Sequence, residues 1–581
     1  MAYCRNRCSI DPTSVRDGTV GNRLPTDQDS EGDVATTSNG EPATYVRRET
    51  IGLALGPLSF AVVYATVPLP APAVVNATFA CTLWIVVWWI TEAVPIPVTS
   101  LLPVVLFPLT GVLSVEGATT PYADPIIFLL LGGFLIALAV ERSQLHRRIA
   151  LTVVSFVGFS PGRLVFGFML ATAVLSMWVS NTATAIMMVP IGFAVLSQFS
   201  VFVNGSPDGN RGDSIETTVD ESTDLELADV GTSTESTHNR TSNRDPDLDA
   251  ESLPETRLGV ALMLGIAYGA SIGGAATLIG SPPNAVFAGV VASRLDVEIG
   301  FLDWMLFALP GSALFLVVSW IVLMVVLRPQ RTVQSAGSDA DLDVVDGATG
   351  PDGARLLREE HELLGPMTRT ERRVLAVFAI VAGGWILRPY VLQPLVPAIT
   401  DPVIAIAGGI LLFVVPVDLA RREFLLEWDA VAQLPWGVLI LLGAGFSLAN
   451  AFQESGLDAW IAERLAGLAG LPMFGVLLLI AFVVVFLTEV NSNTATATVF
   501  MPIMIGLGLT LGIQPITLMA VAALAASYAF MLPVATPPNA IVFGSGYLTI
   551  PQMAQVGIWL NLIGVVLVAL LGYLWLPVVF G

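Results

Sequence analysis

The chain has 581 residues, of which 54% are hydrophobic and 13% charged, with a mean hydropathy of +0.75. No soluble globular domain needs that much apolar surface, so the composition excludes ordinary soluble enzymes and points to a polytopic membrane protein. The net charge of −21 implies no nucleic-acid partner.

The first 49 residues are polar and acidic and carry no signal-peptide pattern. Arg47 and Arg48 precede the first apolar span, which starts near Ile51, so the amino terminus is expected in the cytoplasm. Apolar stretches follow at 51–70, 74–93, 95–114, 125–140, 164–198, 258–293, 303–327, 374–396, 402–418, 435–452, 471–511, 514–547 and 555–580. Each is near the ~20 residues a bilayer span requires, or longer. The stretches 164–198 and 471–511 are long enough for two short helices each, and polar tips interrupt them. The same tripeptide forms both tips, Ser180-Asn181-Thr182 and Ser492-Asn493-Thr494. They read as re-entrant hairpins. Further on, Ser281-Pro282-Pro283-Asn284 and Thr536-Pro537-Pro538-Asn539 break two apolar stretches. Proline lacks an amide hydrogen and biases its predecessor toward extended backbone, so one helix ends and another begins there.

The acidic excess lies in the amino tail, in 199–257 and in 335–362, and these segments read as solvated. The chain has no lysine. An acidic surface without lysine is associated with a high-salt cytoplasm, the rival reading being an acidic interaction tail. Cys4 and Cys8 lack the further ligands a metal pair would need, and Cys81 sits in an apolar span.

The halves repeat. Aligning Asn181 with Asn493 also aligns Phe134 with Phe446, Ser143 with Ser455 and Leu145 with Leu457. Arg142, His146, Arg147 and Arg148 follow Phe134, whereas Glu454, Asp458, Glu463 and Arg464 follow Phe446. A basic, cytoplasmic pattern opposite an acidic, external one means an inverted-topology repeat. Arg328, Arg331, Arg372, Arg373, Arg421 and Arg422 fit the cytoplasmic side of the same scheme.

The expected fold is an all-α polytopic membrane protein, an inverted repeat with two re-entrant hairpins, two broken helices and about eleven transmembrane helices. Its parts are a disordered acidic cytoplasmic tail (1–49), a first membrane segment with the first hairpin (50–198), a disordered acidic cytoplasmic insert (199–257), a broken helix with the following span (258–328), a cytoplasmic linker (329–373) and the second membrane half (374–581).

Amide and hydroxyl groups are costly in hydrocarbon unless something binds them, so a duplicated set suggests two half-sites meeting. Asn carbonyls, hydroxyls and freed backbone carbonyls suit sodium, a hard cation. Asn amides, hydroxyls and helix N-termini suit a carboxylate. A single such polar residue in a membrane helix is ordinarily interhelical glue; a doubled tip facing a doubled break is not. The tips and breaks contain no Arg or His, so an anion held there would need cations bound with it, since an uncompensated charge costs at least ~2.5 kcal/mol at mid-bilayer. Glu489 reads as a hydrogen-bonded structural carboxylate near its tip, or else as a group that tunes a cation site or carries a proton. Glu92, beside Pro95, reads as solvated or capping.

These motifs resemble the divalent anion–sodium symporters, which carry dicarboxylates, citrate or sulfate. WWITEAVPIPVTSLLPVVLFPLTGV (88–112) is similar to that family's second and third helices. The run Ser527-x-x-Phe530-x-x-Pro533-Val534-Ala535-x-x-x-Asn539-x-Ile541-Val542 fits its signature at each fixed position. The resemblance covers roughly 50–580 without the insert. It implies a first sodium site at Ser176, Ser180, Asn181 and the Gly280 carbonyl. It implies a second at Thr488, Asn493 and the main-chain carbonyls of Asn491 and Ala535, although an amide at 491 departs from the small residue usual there. Substrate carboxylates would meet Asn181, Thr182, Ser281, Asn493, Thr494 and Thr536, with Pro282 and Pro537 lining the pocket. The implied protein is a plasma-membrane homodimer that moves a small dianion, a C4 dicarboxylate first of all, with Na+ by an elevator mechanism.

The alternatives are a sodium-independent anion exchanger of the same fold, and citrate or sulfate as substrate. A membrane-embedded enzyme would need a His, Cys or paired-carboxylate constellation in the spans, which the sequence does not offer. An ATP-driven pump would need a lysine-bearing phosphate loop, impossible here.

The insert lacks apolar periodicity and interrupts a plan that works without it in the other half. Deleting 205–250 is therefore expected to leave transport by the inserted protein unchanged. Loss of uptake in a correctly inserted deletion protein would make the segment functional.

Overall fold

The computed structural model describes residues 43–66, 72–158, 160–204, 257–327 and 364–580. Most of the tail, insert and linker, with Cys4, Cys8, Arg328 and Arg331, lies outside the described residues. Helices nevertheless reach into the segments set aside as tail, insert and linker. The first described helix begins at Ala43, one hairpin arm runs to Asn204, and helices start at Arg257 and Arg369.

The described residues are almost entirely helical, apart from a short antiparallel pair of strands, Pro416–Asp418 with Glu423–Phe424. Among the described residues, eight helices are long and apolar enough to cross a bilayer, and seven apolar helices of 10–17 residues accompany them. Helix length therefore does not return the expected eleven crossings. The shorter helices include three of the four hairpin arms and Pro515–Ala526 of the second broken helix, none of which needs to span alone.

Two series of elements repeat. The first runs Pro125–Arg142, Leu145–Val157, a hairpin of Pro161–Ser176 and Asn181–Asn204, a helix broken between Arg257–Ala275 and Pro282–Leu295, and Phe301–Leu327. The second runs Trp436–Ser455, Leu457–Arg464, a hairpin of Met473–Thr488 and Asn493–Leu511, a helix broken between Pro515–Ala526 and Pro537–Phe543, and Ile550–Leu570. Phe134 and Phe446, and Leu145 and Leu457, are buried in matching places. Both hairpins and both breaks thus stand where the sequence put them.

Packing is crosswise. Pro282–Leu295 of the first half lies on Asn493–Leu511 of the second, and Pro537–Phe543 lies on Asn181–Asn204. Within the first half, glycines at 265, 269 and 273 let Arg257–Ala275 meet Pro161–Ser176 almost backbone to backbone, the small-residue mode of membrane helix pairs. The approach is tightest at Gly273, where a Cβ would stand 2.2 Å from the Ala173 carbonyl oxygen. That closeness brings Ser176 to Ala270.

Ion pairs fix the ends. Arg148 pairs with Glu371 at 3.1 Å and donates to the Leu364 and Gly365 carbonyls. Arg373 donates to the Pro416 and Val417 carbonyls, and Arg421 lies 3.8 Å from Asp418. Basic residues from both expected cytoplasmic sets therefore meet partners at 364–371 and at 416–417, two segments that Arg373 ties together. Elsewhere Arg388 holds Asp401 at 2.8 Å and Glu298 at 2.6 Å, while Asp401 also accepts the Phe301 amide at 2.6 Å.

Gly273→Ala forces two packed backbones apart and is expected to cost about 1–3 kcal/mol, read as a lower melting temperature in detergent. Gly383→Ala meets nothing within 4 Å and is expected to leave melting unchanged or slightly raised. Equal melting of Gly273→Ala and the parent would refute the close-packing account.

Candidate functional site

Each tip is a helix restart. The first arm ends at Ser176, and Asn181 opens the next helix behind Ser180, whose hydroxyl accepts the Ala183 amide at 3.3 Å. The second arm ends at Thr488, and Asn493 opens the next helix behind Ser492. The breaks restart by proline. Ser281 and Thr536 are extended (φ −137° and −143°), and Pro282 and Pro537 take the first helical positions, where a missing N–H costs nothing.

Each tip meets its break in the same way. The Ser176 hydroxyl lies 2.5 Å from Asn181 Oδ1 and 2.8 Å from the Ala270 carbonyl oxygen. The Thr488 hydroxyl lies 2.7 Å from Asn493 Oδ1 and 3.1 Å from the Ala526 carbonyl oxygen. Ser176 is to Asn181 and Ala270 what Thr488 is to Asn493 and Ala526. Ser176 and Thr488 are both fully buried.

The Asn181 amide has two possible orientations. With Oδ1 inward, that oxygen stands among the Ser176 hydroxyl, the Ala270 carbonyl and the Gly280 carbonyl at 2.5, 3.1 and 3.2 Å. Turned over, Nδ2 donates to all three. The turned orientation gives each of these oxygens a hydrogen bond; with Oδ1 inward, the same Asn181, Ala270 and Gly280 atoms offer the oxygen ligands that sodium takes. The donor set therefore fits sodium. Gly274 makes room for it, since a Cβ there would stand 2.1 Å from Asn181 Oδ1.

The asparagines of the two Pro-Pro-Asn motifs brace the breaks. Asn284 Nδ2 donates to the Gly274, Ala275 and Thr277 carbonyls at 3.2, 3.2 and 2.7 Å. Asn539 Nδ2 donates to the Ala529 and Leu532 carbonyls at 3.1 and 3.0 Å. Both side chains are fully buried, and neither Oδ1 meets a donor. The two breaks touch through Ser281 and Ser527, whose hydroxyls are 3.1 Å apart. Tyr268 of the first half donates to the Phe530 carbonyl of the second at 3.0 Å.

The remaining residues singled out from sequence are placed as follows. Gly280 is buried in the first break, Ser281 and Thr536 are buried, and the Thr536 hydroxyl caps the Asn539 amide at 3.3 Å. Thr494 is buried and Thr182 half-buried; Pro282 is half-buried and Pro537 exposed. Ala535 is buried in a 3-10 turn, Pro533–Ala535. The Asn491 side chain folds back on its own tip, donating to Thr496 Oγ1 at 3.3 Å and accepting the Ser492 amide at 2.9 Å.

Three contributors lie beyond the sequence reading. The Ala270 and Ala526 carbonyls carry no side-chain signal. Thr277, the polar residue of an apolar run, donates to the Met177 carbonyl at 2.5 Å and accepts the Gly280 amide at 3.1 Å, tying the first tip to its break. A cavity of about 100 Å³ adjoins the first tip, lined by residues such as Ile136, Val140, Leu175, Trp178 and Phe378. Its walls are aliphatic and aromatic, so it has little to offer an anion.

Helices of 24, 14 and 19 residues begin at Asn181, Pro282 and Asn493. Their N-terminal amides and dipoles favour anions without any fixed cation. Oxygen cages and helix starts side by side can hold a cation and an anion together.

Comparison with known proteins gives the family. The family described as the sodium:sulfate symporter transmembrane region matches residues 53–581. A sodium-dependent dicarboxylate transporter SdcS of Staphylococcus saprophyticus is 37% identical over 548 residues, covering 93% of this chain and 94% of the relative. One from Staphylococcus aureus is 39% identical over 537 residues, 92% of each chain. A solved structure, the YdaH transporter of Alcanivorax borkumensis, aligns with a TM-score of 0.46 at 15% identity, covering 92% of this chain and 98% of that one. The chain thus belongs to the sodium:sulfate symporter family, and it is a multi-pass membrane transporter, not an enzyme.

Proposed function

We propose that this protein is a secondary active symporter that moves a small divalent anion, a C4 dicarboxylate first of all, together with sodium. The observation that carries the reading is the contact of Ser176 with Asn181 and Ala270, repeated by Thr488 with Asn493 and Ala526. The sodium-dependent dicarboxylate transporters among its relatives support both the ion and the substrate class.

One sodium is held by Ser176, Ser180, Asn181 and the Gly280 carbonyl. A second is held by Thr488, Asn493 and the carbonyls of Asn491 and Ala535. A cation in either cage turns the asparagine carbonyl inward and leaves its Nδ2 free to face the substrate. Cation binding thus prepares the donors. Thr182, Ser281, Thr494 and Thr536 add hydroxyls for the carboxylates, and Pro282 and Pro537 bound the pocket. Bringing the dianion and its sodium ions in together avoids an uncompensated charge at mid-bilayer.

The interlocked tips and breaks suit a body that moves as one, so alternating access by an elevator in a homodimer follows from the family reading. The clustering of Arg148 and Arg373 at 364–371 and 416–417 supports that end as cytoplasmic; by the positive-inside rule the amino terminus is also cytoplasmic, in a protein of the plasma membrane.

Proteoliposomes with an inward sodium gradient are expected to take up radiolabelled succinate, malate or fumarate. Equal uptake in potassium-only buffer would replace symport with sodium-independent exchange, and preference for citrate or sulfate would revise the substrate.

Asn181→Ala and Asn493→Ala are each expected to abolish that uptake in protein that still inserts. Losing a hydrogen bond to a charged group costs ~1.5–3 kcal/mol, roughly ten- to hundredfold in affinity, before any loss of cation binding. The two substitutions should be comparably severe, because each half builds one cage. A variant retaining near-normal sodium-driven uptake would return its tip to the role of interhelical glue.

A further inference from the structure

Glu489 lies between Thr488 and Asn491, both assigned to the second sodium, and is 3% exposed. Its four partners are all donors. Oε1 accepts the Phe530 amide at 2.6 Å, the Met531 amide at 3.0 Å and Asn561 Nδ2 at 2.7 Å, while Oε2 accepts the Leu532 amide at 3.0 Å. Three consecutive backbone amides, freed where the second helix breaks, thus converge on one carboxylate of the tip, and the helix Ile550–Leu570 adds a fourth donor. The pinned segment leads directly into the cage. The Leu532 carbonyl accepts the Ala535 amide at 3.2 Å and Asn539 Nδ2 at 3.0 Å.

The first half closes the same gap with different chemistry. The position that the repeat aligns with Glu489 is Met177, since 489 − 312 = 177 and 312 is the spacing of Asn181 and Asn493. There the tie between tip and break runs through the Thr277 hydroxyl, to the Met177 carbonyl and the Gly280 amide. One half has a hydroxyl clasp and the other a carboxyl one.

We propose that Glu489 is a positioning residue of the second sodium site alone, holding tip and break at the spacing that its ligands need. The inference rests on the sodium-symport reading and deepens it: the two cages, alike in their ligands, are unlike in what keeps them shut. Glu489 receives donors on every recorded contact, so a carboxylate fills the place and an amide does not. In Glu489→Gln, one oxygen can keep the Oε1 contacts, but an NH2 group then faces the Leu532 N–H, donor against donor. The segment that carries Ala535 loses its anchor, while the first cage keeps Thr277.

Two readouts test this. One is sodium-driven succinate uptake in proteoliposomes. The other is the sodium dependence of maleimide labelling at Val534→Cys, an exposed position in the break, in protein with Cys4, Cys8 and Cys81 replaced by serine. Glu489→Gln is expected to raise half-saturating sodium about tenfold in both and to bring the Hill slope for sodium toward one. The succinate KM at saturating sodium should stay within about threefold, and the pH profile between 6 and 8 should not move.

Unchanged half-saturating sodium would overturn the proposal. So would a pH profile flattened by the substitution, which would make Glu489 a proton carrier. Should Glu489→Gln fail to insert, Asn561→Ala removes one donor and leaves the three amides. It is expected to raise half-saturating sodium about two- to fivefold, and no shift there would overturn the proposal equally. Parent protein lacking sodium-driven uptake would be a failure of the symport reading instead, and the labelling assay would still report whether sodium binds at the second cage.

Discussion

A membrane interior leaves no water to satisfy a backbone group that lacks a partner, and each helix break in this chain releases several. The rest of the site can be understood as the answer to that constraint. Asn284 and Asn539 take up carbonyls at the ends of the broken halves. Ser176 and Thr488 reach the Ala270 and Ala526 carbonyls one turn earlier. Thr277 and Glu489 take the freed amides. What is left over is oxygen without hydrogen, at the Oδ1 atoms of Asn284 and Asn539. A chain that breaks its helices in hydrocarbon and braces them with asparagine produces surroundings suited to a cation.

Those braces hold only because the helices come close. Residue 273 must be glycine for Pro161–Ser176 to lie against the first broken helix, and residue 274 must be glycine for Asn181 to reach into it. Without that approach Ser176 and Ala270 would not meet. In the second half the facing helix Pro515–Ala526 is built largely from alanines, among them Ala522, Ala523, Ala525 and Ala526, all buried. Small residues thus serve both halves, and the distance between helix axes, more than any single polar contact, decides whether a cage exists.

The halves are also joined directly. Tyr268 bonds the Phe530 carbonyl whose own amide is held by Glu489, and Ser281 meets Ser527. Tyr268 stands two residues before Ala270, the acceptor in the first cage. The two cages therefore share a short chain of hydrogen bonds, and neither break can move far without straining the other. Crosswise packing of each restart helix on the opposite hairpin reinforces this. Two half-sites folded around each other in this way suit a cargo that has two charged ends.

Much of this plan is visible in the primary structure, because a polar residue in an apolar run stands out and a repeat multiplies the signal. The membrane class, the paired hairpins at Asn181 and Asn493, the proline breaks at 282 and 537 and the 312-residue spacing all follow from the order of residue types alone. Local chemistry fixes them: a Pro-Pro pair suits the first turn of a new helix and not the interior of an old one, and Ser-Asn-Thr is costly in lipid. The tertiary structure decided which atoms those residues meet. Ala270 and Ala526 contribute carbonyls, which every residue has, so only packing can select them. Asn491 turns its amide back on its own tip, and the carboxylate of Glu489 finds amides some forty residues away. Helix length could not count the crossings either, because a hairpin arm and a true span have the same composition. A partner that is distant in sequence leaves no local trace, and in this protein the distant partners are what turn two polar tips into a site.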